Sequence, residues 1–213
     1  MKFKFEKVSP NWHYNKFVHP YDELQCVGHY SISTNVYNII DNFIANPHQF
    51  GGIKRIHIGD TVENVNNDTI DKRIIYMKKA GYTKENYFIE FINSKLADLE
   101  VQLANKYNLT HYHYCIVLIP PGQCMPVHDD TYSYLNKYMK RDYPNVKYDT
   151  SNIRRYLVFL TDWEWGQCFG AGNVIKWQWR VGDTYTWKYR MLHWASNASF
   201  EPMVFFEITG LKL

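Results

Sequence analysis

The second half of the chain most constrains the fold, because from residue 111 onward it reads as short strands separated by glycine and proline turns. Runs rich in β-branched and aromatic residues predict strands over 111–119, 153–161, 173–180, 184–187 and 203–209. Pro120-Pro121-Gly122 ends the first of these, and Gly182-Asp183 makes the turn before the fourth. Since no helical pattern falls between the strands, we expect antiparallel sheets packed as a sandwich or jelly roll.

The first half of the chain predicts helices, with short strands within residues 1–33 and over 53–58. The first helix has Thr34 as its N-cap, ends at Asn46-Pro47 and carries an apolar stripe of Val36, Ile39, Ile40, Phe43 and Ile44. A second helix is predicted over 69–80, with Gly81 at its C-cap. A third begins at Thr83, ends near Asn108 and buries Phe88, Phe91, Ile92, Leu96, Leu99 and Leu103. We interpret these helices as a buttress for a sheet.

Length and patterning favour one domain. The chain has 213 residues, 46% hydrophobic and 21% charged, which is ordinary for a globular protein. We see no repeat, low-complexity segment or linker. The prediction is a mainly β fold with N-terminal helices (α+β), in which residues 1–110 form the helical buttress with flanking strands and residues 111–213 form the core.

Net charge and cysteine content limit the kinds of binding partner and the cellular compartment that we expect. A net charge of +3 is too small to indicate nucleic acid or an acidic membrane as the partner. No apolar run approaches the roughly 18 residues of a membrane span, and residues 1–7 lack the apolar core of a secretory signal. No C-x-x-C pair occurs among Cys26, Cys115, Cys124 and Cys168, which argues against a zinc knuckle or a disulfide framework. We expect a cytoplasmic protein with free thiols, and the sequence leaves its oligomeric state open.

The tripeptide His128-Asp129-Asp130 is the main candidate for chemistry. Side chains two apart in extended chain point to the same side, so His128 and Asp130 can reach one metal ion. Asp129 points the other way and is the weaker candidate, with a hydrogen-bonding role beside a ligand as its alternative. His193 is the best third ligand. Two histidines and one carboxylate on one face of an octahedron leave three positions free, as in non-haem Fe(II) oxygenases.

Alternatives remain for each of these residues. His128 and Asp130 also fit a hydrogen-bonded surface pair, and His193 a core histidine. His111 and His113 have the same spacing and could join His128 in a histidine-rich metal site, although half-exposed strand positions suit them as well.

Four segments together resemble the Fe(II)/2-oxoglutarate-dependent oxygenases: His128-Asp129-Asp130, Arg154 to Leu160, Trp179 to Asp183, and His193 to Asn197. In that superfamily a double-stranded β-helix (a jelly roll, as in cupins) presents H-x-D at the end of one strand. A Gly-Asp turn then leads into the strand pair that carries the distal histidine. The resemblance covers roughly residues 112–210. It is strongest to the aspartyl/asparaginyl β-hydroxylase-like branch, where an arginine begins the strand after the first ligand.

The resemblance implies a hydroxylase. His128, Asp130 and His193 would hold Fe(II), with 2-oxoglutarate and O2 as co-substrates. Turnover would release succinate and CO2 and pass through a ferryl species that takes hydrogen from a C–H bond. A protein side chain, an amino acid or another small metabolite could each be the substrate. The alternatives are a cupin-like metal-binding or structural barrel without redox turnover, and an oxygenase acting on nucleic acid.

The 5-carboxylate of 2-oxoglutarate needs a fixed cation. Much of the superfamily supplies an arginine or lysine soon after the distal histidine, but here residues 200–204 contain no base. Arg154 and Arg155 are therefore the leading candidates, on opposite faces of their strand. Further candidates for binding the co-substrate are Lys176, Arg190, the Tyr114 hydroxyl and Asn197.

Two other features could contact a substrate. The insertion from Tyr132 to Asn152 carries Lys137, Lys140, Arg141 and Lys147 and could be a lid or a solvated loop. Trp163, Trp165, Trp177 and Trp179 fit core or rim positions better than a base-stacking platform, given the charge balance.

Overall fold

The computed structural model describes residues 24–46, 54–57, 85–128, 130, 132–188 and 191–212. Of residues 54–57, Ser133 and Tyr134 it describes the backbone alone. The helix predicted over 69–80 lies outside the described residues, as do Asp129 and Arg190.

Eleven described strands form two sheets. In chain order they are β1 Gln25–His29, β2 Lys54–His57, β3 Tyr87–Phe91, β4 Leu109–Ile119, β5 Gln123–His128, β6 Ile153–Phe159, β7 Gln167–Ala171, β8 Val174–Lys176, β9 Asp183–Trp187, β10 His193–Asn197 and β11 Met203–Lys212. The large sheet has the order β1-β9-β6-β11-β4-β3-β2 and the small sheet has the order β5-β10-β7-β8. Neighbouring strands are antiparallel in both. The predicted double-stranded β-helix is confirmed.

Three helices lie among the described residues: α1 Thr34–Ala45, α2 Ala97–Tyr107 and α3 Ser133–Asp142. The first was predicted correctly, but its N-cap is Ser33 rather than Thr34, because the Ser33 side chain accepts a hydrogen bond from the Val36 amide. None of the described helices has the length and apolar character needed to span a membrane.

The third predicted helix is wrong in its first half. Tyr87–Phe91 forms β3 instead and pairs with β4 through Ile89 and Leu118, among others. This aromatic, β-branched stretch gains ladder hydrogen bonds and buries Phe88 in one core layer and Ile89 and Phe91 in the other, which outweighs the helical spacing of Phe88 and Phe91. Asn93 then caps a 3₁₀ turn over Ser94–Leu96 that leads into α2.

Each face of the large sheet packs against a different layer. Alternate residues of β4, β6 and β11, such as Leu118, Val158 and Phe206, pack with α1 and α2. The residues between them face the small sheet, and Phe159 stacks there on Trp179 at 4.1 Å between ring centroids. The first layer is the helical buttress. The second, between the sheets, is where the strands converge on the site.

Within 131–152 the structure contains a helix that the sequence reading missed. Leu135 and Met139 lie one turn apart on α3 and pack with Tyr132, Ile153 and Leu211. The segment is therefore docked on the ends of β6 and β11 by its own small apolar cluster. The apolar stripe of Leu135 and Met139 is short and is surrounded by polar residues, so the sequence shows no clear helical period here.

Strand limits also differ from those predicted. Strands β7 and β10 were not predicted, β8 is shorter than 173–180, and β11 continues to Lys212. All four cysteines are free thiols, as predicted.

Candidate metal centre

The small sheet brings His128 and His193 face to face. His128 ends β5, His193 begins β10, and the two residues are direct cross-strand partners. Asp130 follows two residues after His128. Each of the three offers a ligand atom within 4.8 Å of the others, and within the described chain no other group of His, Cys, Asp and Glu does so. The predicted trio is therefore assembled by backbone pairing across 65 residues of sequence.

Both histidines are fixed by the same backbone device. His128 Nδ1 lies 2.7 Å from the Pro126 carbonyl oxygen, and His193 Nδ1 lies 2.9 Å from that of Met191. Because a carbonyl can only accept, each Nδ1 carries a hydrogen, and in the neutral ring Nε2 then keeps its lone pair. Both rings thus present Nε2 toward Asp130.

The donor set fits a divalent metal ion. His193 is fully buried, and its Nε2 makes no hydrogen bond to any residue in the described part of the chain. It lies 3.3 Å from Asp130 Oδ2, while His128 Nε2 lies 3.9 Å from Asp130 Oδ1. A buried polar nitrogen without a hydrogen bond is costly, and a metal ion shared with the other two groups would satisfy it.

The charges of the trio are also suited to metal binding. Burial alone raises the pKa of Asp130, but the Arg155 guanidinium and His193 outweigh it and hold that pKa well below its usual range. Burial and the nearby His193 lower the pKa of His128 to about 4. Burial alone lowers the pKa of His193, but the Asp130 carboxylate raises it above its ordinary value. At neutral pH the site therefore contains a carboxylate and at least one neutral imidazole, the forms that bind metals.

Arg155 connects the trio to the large sheet. Its Nη1 donates to Asp130 Oδ2 and lies 3.1 Å from Glu207 Oε2, and its Nε donates to Thr209 Oγ1 at 3.0 Å. The guanidinium carbon lies 4.9 Å from the centroid of the Tyr132 ring. The side chain is 12% exposed. Arg155 is thus a paired, largely buried cation that touches a predicted metal ligand.

A cavity of about 590 Å³ opens beside the trio. This volume lies within the roughly 300–1,000 Å³ of ligand pockets. Its described lining combines apolar residues, namely Phe88, Phe91, Ile92, Val117 and Met125, with polar ones, namely Glu90, His113, Tyr114, Cys115, His128, Asp130, Arg155 and Glu207. Among these residues Arg155 is the one permanent cation.

Of the residues predicted to bind the co-substrate, Arg155 and Tyr114 line the cavity. Arg155 shares its strand face with Leu157 and Phe159, so Arg155 rather than Arg154 points inward. The Tyr114 hydroxyl donates to the Asn93 carbonyl at 2.7 Å.

The structure does not bring three of the other candidates to the cavity. Arg154 bonds the carbonyls of Ser151 and Ile153, since neighbours on a strand face opposite sides. Lys176 lies on β8 with its Nζ 5.7 Å from the Tyr185 ring centroid. Asn197 is buried in a turn, where its amide bonds the carbonyls of Ile119 and Glu201. These three roles are structural.

The alternative histidine-rich site does not form. His113 lines the cavity, where burial and Arg155 lower its pKa to about 4. His111 instead has a φ of 48° and meets the Tyr143 ring edge-on at 4.4 Å. Neither joins the described group of ligand atoms around His128.

Glu207 is the functional candidate that sequence reasoning missed. It is 5% exposed, faces Arg155 from β11 and accepts a contact from Cys115 Sγ at 3.8 Å. The available signal was a lone carboxylate within the apolar strand Met203–Lys212, since such a group is rarely buried unless paired.

Comparisons with known proteins give only distant structural likenesses. No protein-family model and no curated protein matches this chain. Similar solved structures include a protein from Thermus thermophilus, with 14% identity over 48% of this chain and 74% of that one and a TM-score of 0.32. A protein with a double-stranded β-helix domain from Klebsiella pneumoniae has 16% identity over 48% and 70%, and a TM-score of 0.32. A predicted oxalate decarboxylase from Thermotoga maritima has 13% identity over 59% and 82%, and a TM-score of 0.36. At these TM-scores the likenesses carry no argument about function.

Proposed function

We propose that this chain is an Fe(II)- and 2-oxoglutarate-dependent dioxygenase that hydroxylates a C–H bond of its substrate. The observation that carries the proposal is the trio His128, Asp130 and His193, with both Nε2 atoms turned toward one carboxylate. Two histidines and a carboxylate beside a cavity are the ligand set of non-haem iron oxygenases. The resemblance of the four sequence segments points to the same superfamily.

Different described residues would bind the metal ion, orient its ligands and line the substrate cavity. Fe(II) bound to the trio supplies the oxidative chemistry. The carbonyls of Pro126 and Met191 hold the two rings in place. The apolar lining, including Phe88, Val117 and Met125, excludes water from the reacting carbon. Arg155 is the one arginine or lysine among the described lining residues, and Tyr114 lines the same cavity with its hydroxyl donated to the Asn93 carbonyl.

A second candidate function is a metal-binding cupin-like barrel that does not use 2-oxoglutarate. Glu207 favours it, because the last strand presents a carboxylate to the cavity, while residues 200–204 supply no base. Arg155 is partly neutralised by Asp130 and Glu207, so its attraction for a dicarboxylate is weakened.

The substrate class is part of the proposal. A cavity of this size admits a small metabolite, an amino acid or a side chain of a peptide or protein. Weak retention on heparin at physiological salt is the expected result for each of these, whereas strong retention would favour an oxygenase that acts on nucleic acid.

Succinate release tests the function directly. The protein is loaded anaerobically with Fe(II), mixed with 2-oxoglutarate and O2, and assayed for succinate with and without pools of amino acids and peptides. The expected result is succinate formation that is abolished in H128A and retained in H111A. Tight Fe(II) binding without succinate under any of these conditions would instead support the second candidate.

A further inference from the structure

The Nη1 atom of Arg155 is shared between two carboxylates. It donates a hydrogen bond to Asp130 Oδ2 and forms an ion pair with Glu207 Oε2 at 3.1 Å. Nη1 is therefore held between two carboxylates. The Nε hydrogen is donated to Thr209 Oγ1. This side of the guanidinium is fixed by groups from the metal site and from β11.

The two oxygens of Asp130 consequently differ. Oδ2 accepts a hydrogen bond from the guanidinium and lies 3.3 Å from His193 Nε2, whereas Oδ1 faces His128 Nε2 at 3.9 Å and makes no described contact with the guanidinium. A cation beside Oδ2 repels a second cation at that oxygen, so Oδ1 is the oxygen left for a metal ion.

We propose that Arg155 is a positioning residue that restricts Asp130 to coordination through one oxygen and so keeps three metal positions open. The inference rests on the proposed metal site. If Asp130 bound through both oxygens, it would take one of the three positions that the trio leaves free. A keto acid that binds through two atoms would then leave none for O2.

Glu207 and Tyr132 keep Arg155 in this role. Glu207 offsets the positive charge and holds Nη1 between the two carboxylates, and the Tyr132 ring lies against the guanidinium carbon at 4.9 Å. Glu207 belongs to β11, which pairs with β4 and β6 on either side. The orientation of the Asp130 carboxylate therefore depends, through Arg155 and Glu207, on the central strand of the large sheet.

The test uses Co(II), whose visible spectrum reports coordination, and compares wild type with R155K and with the double variant R155Q/E207Q. The double variant removes the buried carboxylate that R155Q alone would leave without its cation, so that folding is preserved. The matched control is R154Q, because Arg154 is the next residue on β6 but bonds Ser151 and Ile153 away from the cavity. Calorimetry then gives the affinity of each Co(II) protein for 2-oxoglutarate and for 2-oxobutanoate, which lacks the distal carboxylate.

The expected result is a changed Co(II) spectrum in R155Q/E207Q, with about tenfold or greater weakening of both keto acids, as is typical when a group that orients a ligand is removed. R155K should recover part of the spectrum, and R154Q should match wild type. An unchanged spectrum with loss of 2-oxoglutarate alone would overturn the inference and make Arg155 the anchor of the distal carboxylate. Absence of succinate release from a protein that shows the expected Co(II) results would contradict the proposed function and leave the positioning role standing.

Discussion

His128 and His193 are both held by a backbone carbonyl two residues earlier, and this has a consequence for the site. Each ring is oriented by the backbone two residues before it rather than by a side chain from elsewhere. Substitutions of neighbouring side chains should therefore leave the two imidazole rings in place. The carboxylate of the trio is different, because Asp130 depends on Arg155 from β6.

Loss of one ring should abolish metal binding. We expect H128A to lose stoichiometric Co(II) binding in calorimetry, since the trio would keep only two ligands. H113A is the matched control, because His113 lines the same cavity but lies outside the trio, and it should still bind one Co(II) per chain. Equal loss in both variants would contradict the assignment of the ligands.

Protonation of histidines should weaken the metal-free protein in mild acid. Burial lowers the pKa of His113 and His128 from 6.5 to about 4. Between these values the unfolded chain binds more protons than the folded one, so the free energy of unfolding falls as the pH falls from 6.5 to 4. Each histidine contributes up to about 1.4 kcal/mol per pH unit. His193, whose pKa is raised, acts in the opposite direction.

Urea unfolding in the presence of a chelator measures this effect. H113Q should flatten the fall between pH 6.5 and pH 4 by removing one of the two contributions. A pH profile that is the same in H113Q and wild type would refute the burial effect.

The grouping of His128, Asp130 and His193 could be predicted from sequence, but the residues that support it could not. The alternation of an extended chain is local, so it places His128 and Asp130 on one side without any knowledge of the fold. The partnership of Arg155 and Glu207 depends on the register between β6 and β11, 52 residues apart in the chain. No local period encodes that register, and the lone carboxylate of β11 was its only sign.

At the level of single elements, β10 packs closely on β7 because Gly170 has no side chain where the Trp194 ring lies. A Cβ atom on Gly170 would lie 2.1 Å from the Trp194 ring, which covers this glycine on the outer side of the small sheet. Trp194 directly follows the ligand His193. The packing of this ring therefore couples the position of β10 to the metal centre.

Filling that space should disturb both stability and metal binding. We expect G170A to lose about 1–3 kcal/mol of unfolding free energy by overpacking, and to bind Co(II) more weakly because β10 shifts. The double variant G170A/W194L should recover much of both losses, since the ring is then absent. If G170A melts and binds Co(II) like wild type, the coupling does not exist.

Elements were predictable where one period dominated the sequence. Helix α1 shows a clean apolar stripe and was found within one residue at its start. Tyr87–Phe91 satisfies both a helical and a strand pattern, and its pairing with β4 decided between them. Strand β10 has a buried histidine and asparagine at alternate positions, so its inward face did not read as apolar.

Across the whole molecule, Phe159 occupies the centre of the layer between the sheets. It is fully buried, stacks on Trp179 and meets Phe169, Tyr185 and Phe205 edge-on. The two sheets are thus joined by one aromatic cluster. The jelly-roll class followed from short strands and turns, whereas this cluster depends on which strands cross, which only the fold reveals.

Truncation at this centre should be costly. F159A should lose about 3–5 kcal/mol of unfolding free energy, measured by denaturant titration with tryptophan fluorescence. F200A is the control, because Phe200 is 97% exposed, and it should change stability by less than about 0.5 kcal/mol. A loss in F159A no larger than in F200A would show that the cluster does not hold the sheets together.

The position of β5 links metal exchange to the opening of the protein. This strand lies at the edge of the small sheet, where β10 is its neighbour, and it carries His128 at its end. A metal ion bound to both His128 and His193 would stabilise the pairing of β5 with β10. Amide hydrogens of β5 should therefore exchange with solvent more slowly after Zn(II) is added, while those of the doubly paired β11 should hardly change. Unaltered β5 exchange would rule this out. If the ion does hold β5 to β10, it can dissociate only as fast as β5 separates from β10. The residence time of the metal is then set by the stability of this strand pairing.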